Sequence, residues 1–188
     1  MNIYDYTANN PIIRRDPSGL WSTAAHDYFV EQGYPGLSPA DIRAIKAGSA
    51  AADSIANQDG SHAYIHSMTS NTLSRAQSET LMLAFIQQHM SEFKKWYCRS
   101  KKEKNAYWAV GQRSFAFRKL GMALHPIMDS TSPVHRGFQK WHSSDLFIHG
   151  PFPTSLEDVN TAPQYRDETV NLMRSYFSPG SVDCGCEN

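Results

Sequence analysis

From residue 22 onward, apolar side chains recur every three or four positions, the spacing that gives a helix one apolar face. "STAAHDYFVEQG" predicts a first helix, opened by Ser22 or Thr23 as N-cap and stopped by Gly33. "SPADIRAIKAGSAAADSIANQDG" predicts a second, with Ser38 as N-cap and Pro39 at the first helical position. There Ile42, Ile45 and Ile55 stand among alanines, which predicts a small-residue face packed closely on a neighbour. "NTLSRAQSETLMLAFIQQHMSEFKKWY" sets Leu73, Leu81, Phe85, Met90 and Phe93 among polar residues and reads as a long amphipathic helix. "KNAYWAVGQRSFAFRKLGMALHPIMDS" repeats that pattern, and "SLEDVNTAPQYRDETVNLMRSYF" predicts one or two more helices, interrupted at Pro163. Period-two alternation is almost absent. The class expected is all-α, a compact helical bundle. Residues 1–20 differ: "ANNP" and "DPSG" are turn chemistry within extended chain.

Composition adds bounds to this picture. The 188 residues suffice for one domain with a sizeable core, and 40% hydrophobic against 19% charged is a globular balance. Formal net charge is zero, so no global field draws nucleic acid or an anionic membrane. One local patch stands out, "FKKWYCRSKKEKNAYW", where Lys and Arg alternate with Trp and Tyr. It reads as a solvated helix end and loop; the sharper reading is a surface that touches phosphate head groups or nucleic acid. Three cysteines, Cys98, Cys184 and Cys186, lack the spacing of a disulfide framework, and the C-G-C tail is expected to be a free, mobile end. No apolar run approaches the ~20 residues of a membrane span. "MNIYDYTANN" has no basic region followed by an apolar core, so a signal peptide is not expected.

The candidate chemistry lies in "LGMALHPIMDSTSPVH", which sets His125, Asp129 and His135 at the spacing H-x3-D-x5-H. On a helix over 120–131, residues four apart share a face, so His125 and Asp129 point the same way. Pro133 ends that helix, because Ser132 before it is pushed out of the α region, and His135 follows on the turn. Pro126 marks a local start or bend that tilts His125 toward the site. Eight histidines are many for this length. His26, His62, His66 and His149 sit near predicted helix ends or on one-sided helices, and Asp53 and Asp59 precede "SHAYIHSM". Imidazole and carboxylate recurring together form a ligand set that suits zinc. His89 and His142 read as surface or core residues.

This set resembles the zinc-dependent phospholipase C superfamily, which includes single-strand-specific nucleases. The resemblance spans roughly residues 21–160, and its specific part is the central motif. It implies an α-helical bundle with a multinuclear zinc cluster, of up to three ions, in its core. One zinc would take His66, His125 and Asp129, with His62 competing for the place of His66. A second would take His135, His149 and Glu157, the last standing in for a Glu that the pattern puts where this chain has Pro153. A third would share Asp129 with His26 and the amine and carbonyl of an N-terminal Trp21. Asp53 would orient or deprotonate the attacking water.

"NIYDYTANNPIIRRDPSGLW" resembles the end of the Rhs repeat-associated core, which encloses a C-terminal toxin and is cut after the Leu of D-P-x-G-L. That divides the chain into residues 1–20, the tail of the core, and residues 21–188, the toxin domain. Cleavage between Leu20 and Trp21 would free an α-amine of pKa ~7.7–8.0, able to bind metal at neutral pH. The function implied is that of a secreted antibacterial effector of the type VI secretion kind. It would be made in the bacterial cytoplasm, delivered into a target cell, and neutralised in the producer by a cognate immunity protein. The leading expectation is a phospholipase C acting at a phospholipid membrane surface, with no nucleic-acid partner. The alternatives are a zinc-dependent nuclease and a non-catalytic helical module with structural zinc.

Overall fold

A computed structural model describes residues 23–132, 137–140 and 163–185. Five helices carry this part of the chain: α1 (Thr23–Gly33), α2 (Pro39–Ala52), α3 (Arg75–Lys102), α4 (Ala106–Asp129) and α5 (Pro163–Tyr176). Two 3₁₀ turns, Ile55–Asn57 and Ala63–His66, lie between α2 and α3. Among the described residues no strand forms, and the isolated bridge Thr69–Lys140 is the sole β pairing.

The helix ends follow local chemistry. Ser38 accepts a hydrogen bond from the Asp41 amide with Pro39 behind it, and Ser74 and Gln77 form a reciprocal capping box at the start of α3. Asn105 opens α4 by accepting from the amides of Tyr107 and Trp108. At Gly33 the last carbonyls of α1 are met by Arg174, which donates to Gln32 and Gly33, each at 2.9 Å.

α4 is the central helix. From Leu120 to Asp129 it is buried except at Met122, and it packs chiefly on α2 and α3. Aromatic rings fill the core around it: Phe93 stands 5.5 Å from Phe117 and 5.1 Å from Phe177, centroid to centroid. Burial of each such ring contributes about 1.5–3 kcal/mol. α2 lies against α4 through Gly48 and Gly121, where added side chains would meet the opposite backbone. Arg113 on α4 grips the buried Asp41 of α2 bidentately, at 2.8 and 2.7 Å.

Four sequence expectations change. The second helix stops at Ala52, with Asp53 as C-cap, so Ile55 belongs to a 3₁₀ turn. α3 buries Ser78, Ile86, His89 and Phe93, while Leu81 faces solvent: the neighbours of α3 select a stripe rotated from the one read off the largest residues. Of the two readings of Pro126, start or bend, the start is excluded, because α4 runs through it. The ring leaves the Met122 carbonyl without its usual helical donor, and the helix persists because packing on both sides holds it. Lastly, the tail is not free: Cys184 is disulfide-bonded to Cys98 of α3 across 86 residues of sequence. Spacing along the chain cannot reveal a pairing that depends on where α5 returns. Cys186 lies outside the described residues, as do His142, Leu20, Trp21, His135, His149 and Glu157.

Candidate metal centre

Four elements converge at the C-terminal half of α4. α1 brings His26, α2 brings Ser49 and its C-cap Asp53, and the second 3₁₀ turn brings His66. α4 supplies His125 and Asp129 from one face, as their four-residue spacing requires. The 3₁₀ turn is locked to α4 by Ser67, which takes a left-handed φ of 56° and donates its hydroxyl to the Pro126 carbonyl at 2.6 Å.

His26, His66, His125 and Asp129 are each 2% exposed or less. The Asp129 carboxylate is the hub. Its Oδ1 lies 2.9 Å from His26 Nε2, and its Oδ2 lies 3.1 Å from His125 Nε2 and 3.3 Å from His66 Nδ1. His125 Nε2 and His66 Nδ1 are 3.1 Å apart, so these two nitrogens and Oδ2 form a near-equilateral triangle. On the far side of its ring, His125 Nδ1 meets the Ser49 hydroxyl at 3.1 Å. His66 Nε2 is buried and has no hydrogen-bond partner.

The protonation states suit metal binding. Burial pushes His125 down to about 4, outweighing the upward pull of Asp129, so the imidazole is neutral at neutral pH and keeps a lone pair. Burial alone would raise the Asp129 carboxyl, but His125 and His26 outweigh it and hold the group well below the usual carboxylate range. As a pure hydrogen-bond network the centre is awkward. If His66 Nδ1 and His125 Nε2 both donate to Asp129, two N–H protons face each other across 3.1 Å. A cation taking both lone pairs removes that conflict. Ligands held at ~2.0–2.1 Å in tetrahedral geometry stand ~3.3 Å from one another, close to the triangle's edges. A second potential group, Asp53, His66 and His125, has ligand atoms within 4.8 Å of one another, as does His26, His125 and Asp129.

Of the predicted site residues within the described segments, the structure thus gathers His26, His66, His125 and Asp129, with Asp53 beside them. Asp53 is partly exposed and accepts from Gln58 Nε2 at 2.9 Å. His62, the competitor of His66, points elsewhere: it is 38% exposed and paired with Asp59 at 3.1 Å. Sequence reading missed Ser49, which no motif marks, because its role depends on the register between α2 and α4. His89 is in the core, its Nδ1 unpaired by hydrogen bonds and 3.9 Å from Glu92, and burial holds its pKa below the usual range. Comparison of the chain with protein-family models, with curated proteins and with solved structures finds no match.

Proposed function

We propose that the chain is a zinc-dependent phosphodiester hydrolase that acts on phospholipid head groups as a phospholipase C. The observation that carries this reading is the triangle of His66 Nδ1, His125 Nε2 and Asp129 Oδ2, with edges of 3.1, 3.1 and 3.3 Å. Its nitrogens and carboxylate oxygen form the donor set that suits zinc, and three ligands leave a fourth position for reaction, where a structural site would be closed by four. Bound there, zinc would supply positive charge that acidifies a water and offsets charge building on phosphoryl oxygens.

The protein residues divide the remaining work. Ser49 fixes the His125 ring by accepting from Nδ1–H, which directs the Nε2 lone pair inward. Asp129 holds His26 on one oxygen while the other faces the triangle. Asp53, at the partly exposed edge and steadied by Gln58, takes the proton from the attacking water. His135, His149, Glu157 and Trp21 complete the ligand set in this reading, through the resemblance of their sequence pattern. Cleavage between Leu20 and Trp21 then releases the domain from an Rhs shell and adds the free α-amine, which makes the domain a delivered toxin needing an immunity protein.

The test uses two chains, one starting at Met1 and one at Trp21. Each is loaded with zinc and given phosphatidylcholine or phosphatidylethanolamine vesicles and, separately, single-stranded nucleic acid. Diacylglycerol release, abolished by His125→Ala and by Asp129→Ala, is the expected result. Nucleotide release instead would assign a nuclease, and tight zinc binding with neither product would assign a structural site. Equal zinc content and activity in the two chains would overturn the role of cleavage.

A further inference from the structure

We infer that the turn end of the α3–α4 hairpin is a docking surface for anionic phospholipid bilayers, separate from the metal centre. Tyr107, Trp108 and Val110, at 79%, 59% and 69%, are the most exposed large hydrophobic residues among those described. They follow one another at the start of α4, and the rings of Tyr107 and Trp108 touch edge to face with centroids 5.4 Å apart. Clustered exposed apolar groups of this kind mark a contact surface rather than ordinary solvent exposure.

Charge identifies the partner. Six Lys and Arg side chains fall between residues 94 and 104, all exposed, against the single carboxylate of Glu103. That carboxylate is engaged within the turn, accepting from the Asn105 amide at 2.9 Å and from Gln112 at 3.3 Å. A chain of zero net charge has therefore concentrated positive charge where its aromatic rings emerge. Trp and Tyr settle at the head-group level of bilayers, and lysines beside them attract anionic lipid. A nucleic acid would call for a groove with stacking rings along a cationic track, whereas this is the end of a helical hairpin bearing an aliphatic Val110. No helix of the described residues is long and apolar enough to cross a membrane.

The tip is remote from the ligands. From Trp108 to His125, 17 residues along α4, the helix rises about 25 Å. Docking can thus be altered without touching the centre, and it does not depend on the phospholipase reading.

The test is co-sedimentation of the full chain with vesicles of phosphatidylcholine and phosphatidylglycerol in equal parts, against pure phosphatidylcholine, at low and high salt. Binding is expected to the anionic vesicles and to weaken with salt. The double variant Tyr107→Ala with Trp108→Ala should lose at least tenfold in vesicle affinity. Each of Lys101→Gln, Lys102→Gln and Lys104→Gln should lose about fivefold. His125→Ala should bind as the parent does, which separates failure of docking from failure of catalysis. Unchanged thermal melting of the tip variants would exclude misfolding as the cause. No binding to anionic vesicles, or binding indifferent to both sets of substitutions, overturns the proposal. So does loss, on the same substitutions, of single-stranded oligonucleotide binding or of lipid-independent dimerisation in place of vesicle binding.

Discussion

Replacing Gly121 with alanine should destabilise the protein, although alanine is the better helix former. A Cβ on Gly121 would run into the Ile45 carbonyl oxygen, and would lie 2.8 Å from that carbonyl's carbon and 3.0 Å from Gly48 Cα. Carbon pairs settle at about 3.5–4.0 Å, so α2 would have to withdraw by roughly 1 Å. The obstacles are backbone atoms, and no rotamer change relieves them. Helix propensity returns about 1 kcal/mol for Gly→Ala, while overpacking against backbone costs about 3 kcal/mol or slightly more. The net loss is about 2 kcal/mol, or about 4–8 °C in Tm for a chain of this size. The same withdrawal carries Ser49 off His125 Nδ1, now 3.1 Å away, and past the hydrogen-bonding limit. Urea denaturation in chelator and zinc titration calorimetry would read both effects. Gly111→Ala is the control: a Cβ there meets nothing within 4 Å, and the substitution should add about 0.5–1 kcal/mol. If Gly121→Ala melts at or above the parent temperature and binds zinc unchanged, the link between helix crossing and site is wrong.

Three further outcomes follow from the geometry. Ser49→Ala should weaken zinc binding about tenfold with a stability change of about 1 kcal/mol, since it removes the partner that orients His125; calorimetric titration would show it, and unchanged affinity would contradict that role. Reducing the Cys98–Cys184 bond reopens a loop of 86 residues and should cost on the order of 4 kcal/mol by chain entropy, seen as a lower urea midpoint; an unmoved midpoint would mean that the tail contributes nothing. In metal-free protein, stability should fall as pH drops from about 6.5 to about 4, because the unfolded His125 takes up a proton in that window and the buried one does not. The depressed Asp129 acts in the same direction at lower pH. The His125 contribution amounts to about 3 kcal/mol, and a pH series of urea melts on the parent and His125→Gln should show the variant's dependence flattened.

Much of the fold was legible locally. Ser38 with Pro39 and Ser74 with Gln77 mark helix starts through hydrogen bonds made within a few residues, so their meaning survives without tertiary context. His125 and Asp129 are legible for the same reason: helical periodicity alone puts them on one face. The small-residue face of α2 announced a close neighbour but could not name it.

Partner choice was decided elsewhere. His26 meets Asp129 across 103 residues of sequence and His66 meets it across 63, distances over which local spacing carries no register. The placement of His66 rather than His62 depends on a 3₁₀ turn tied by Ser67 to a carbonyl of α4. Ser49 gained its role, Leu81 lost its expected burial and Cys98 found Cys184 for the same reason. The sequence by itself determined which segments are helical and which two α4 side chains share a face, because those depend on neighbours in the chain. Only the tertiary structure decided which side chains surround Asp129, because that depends on how the helices stack, with Gly48 against Gly121 setting how closely α2 approaches α4.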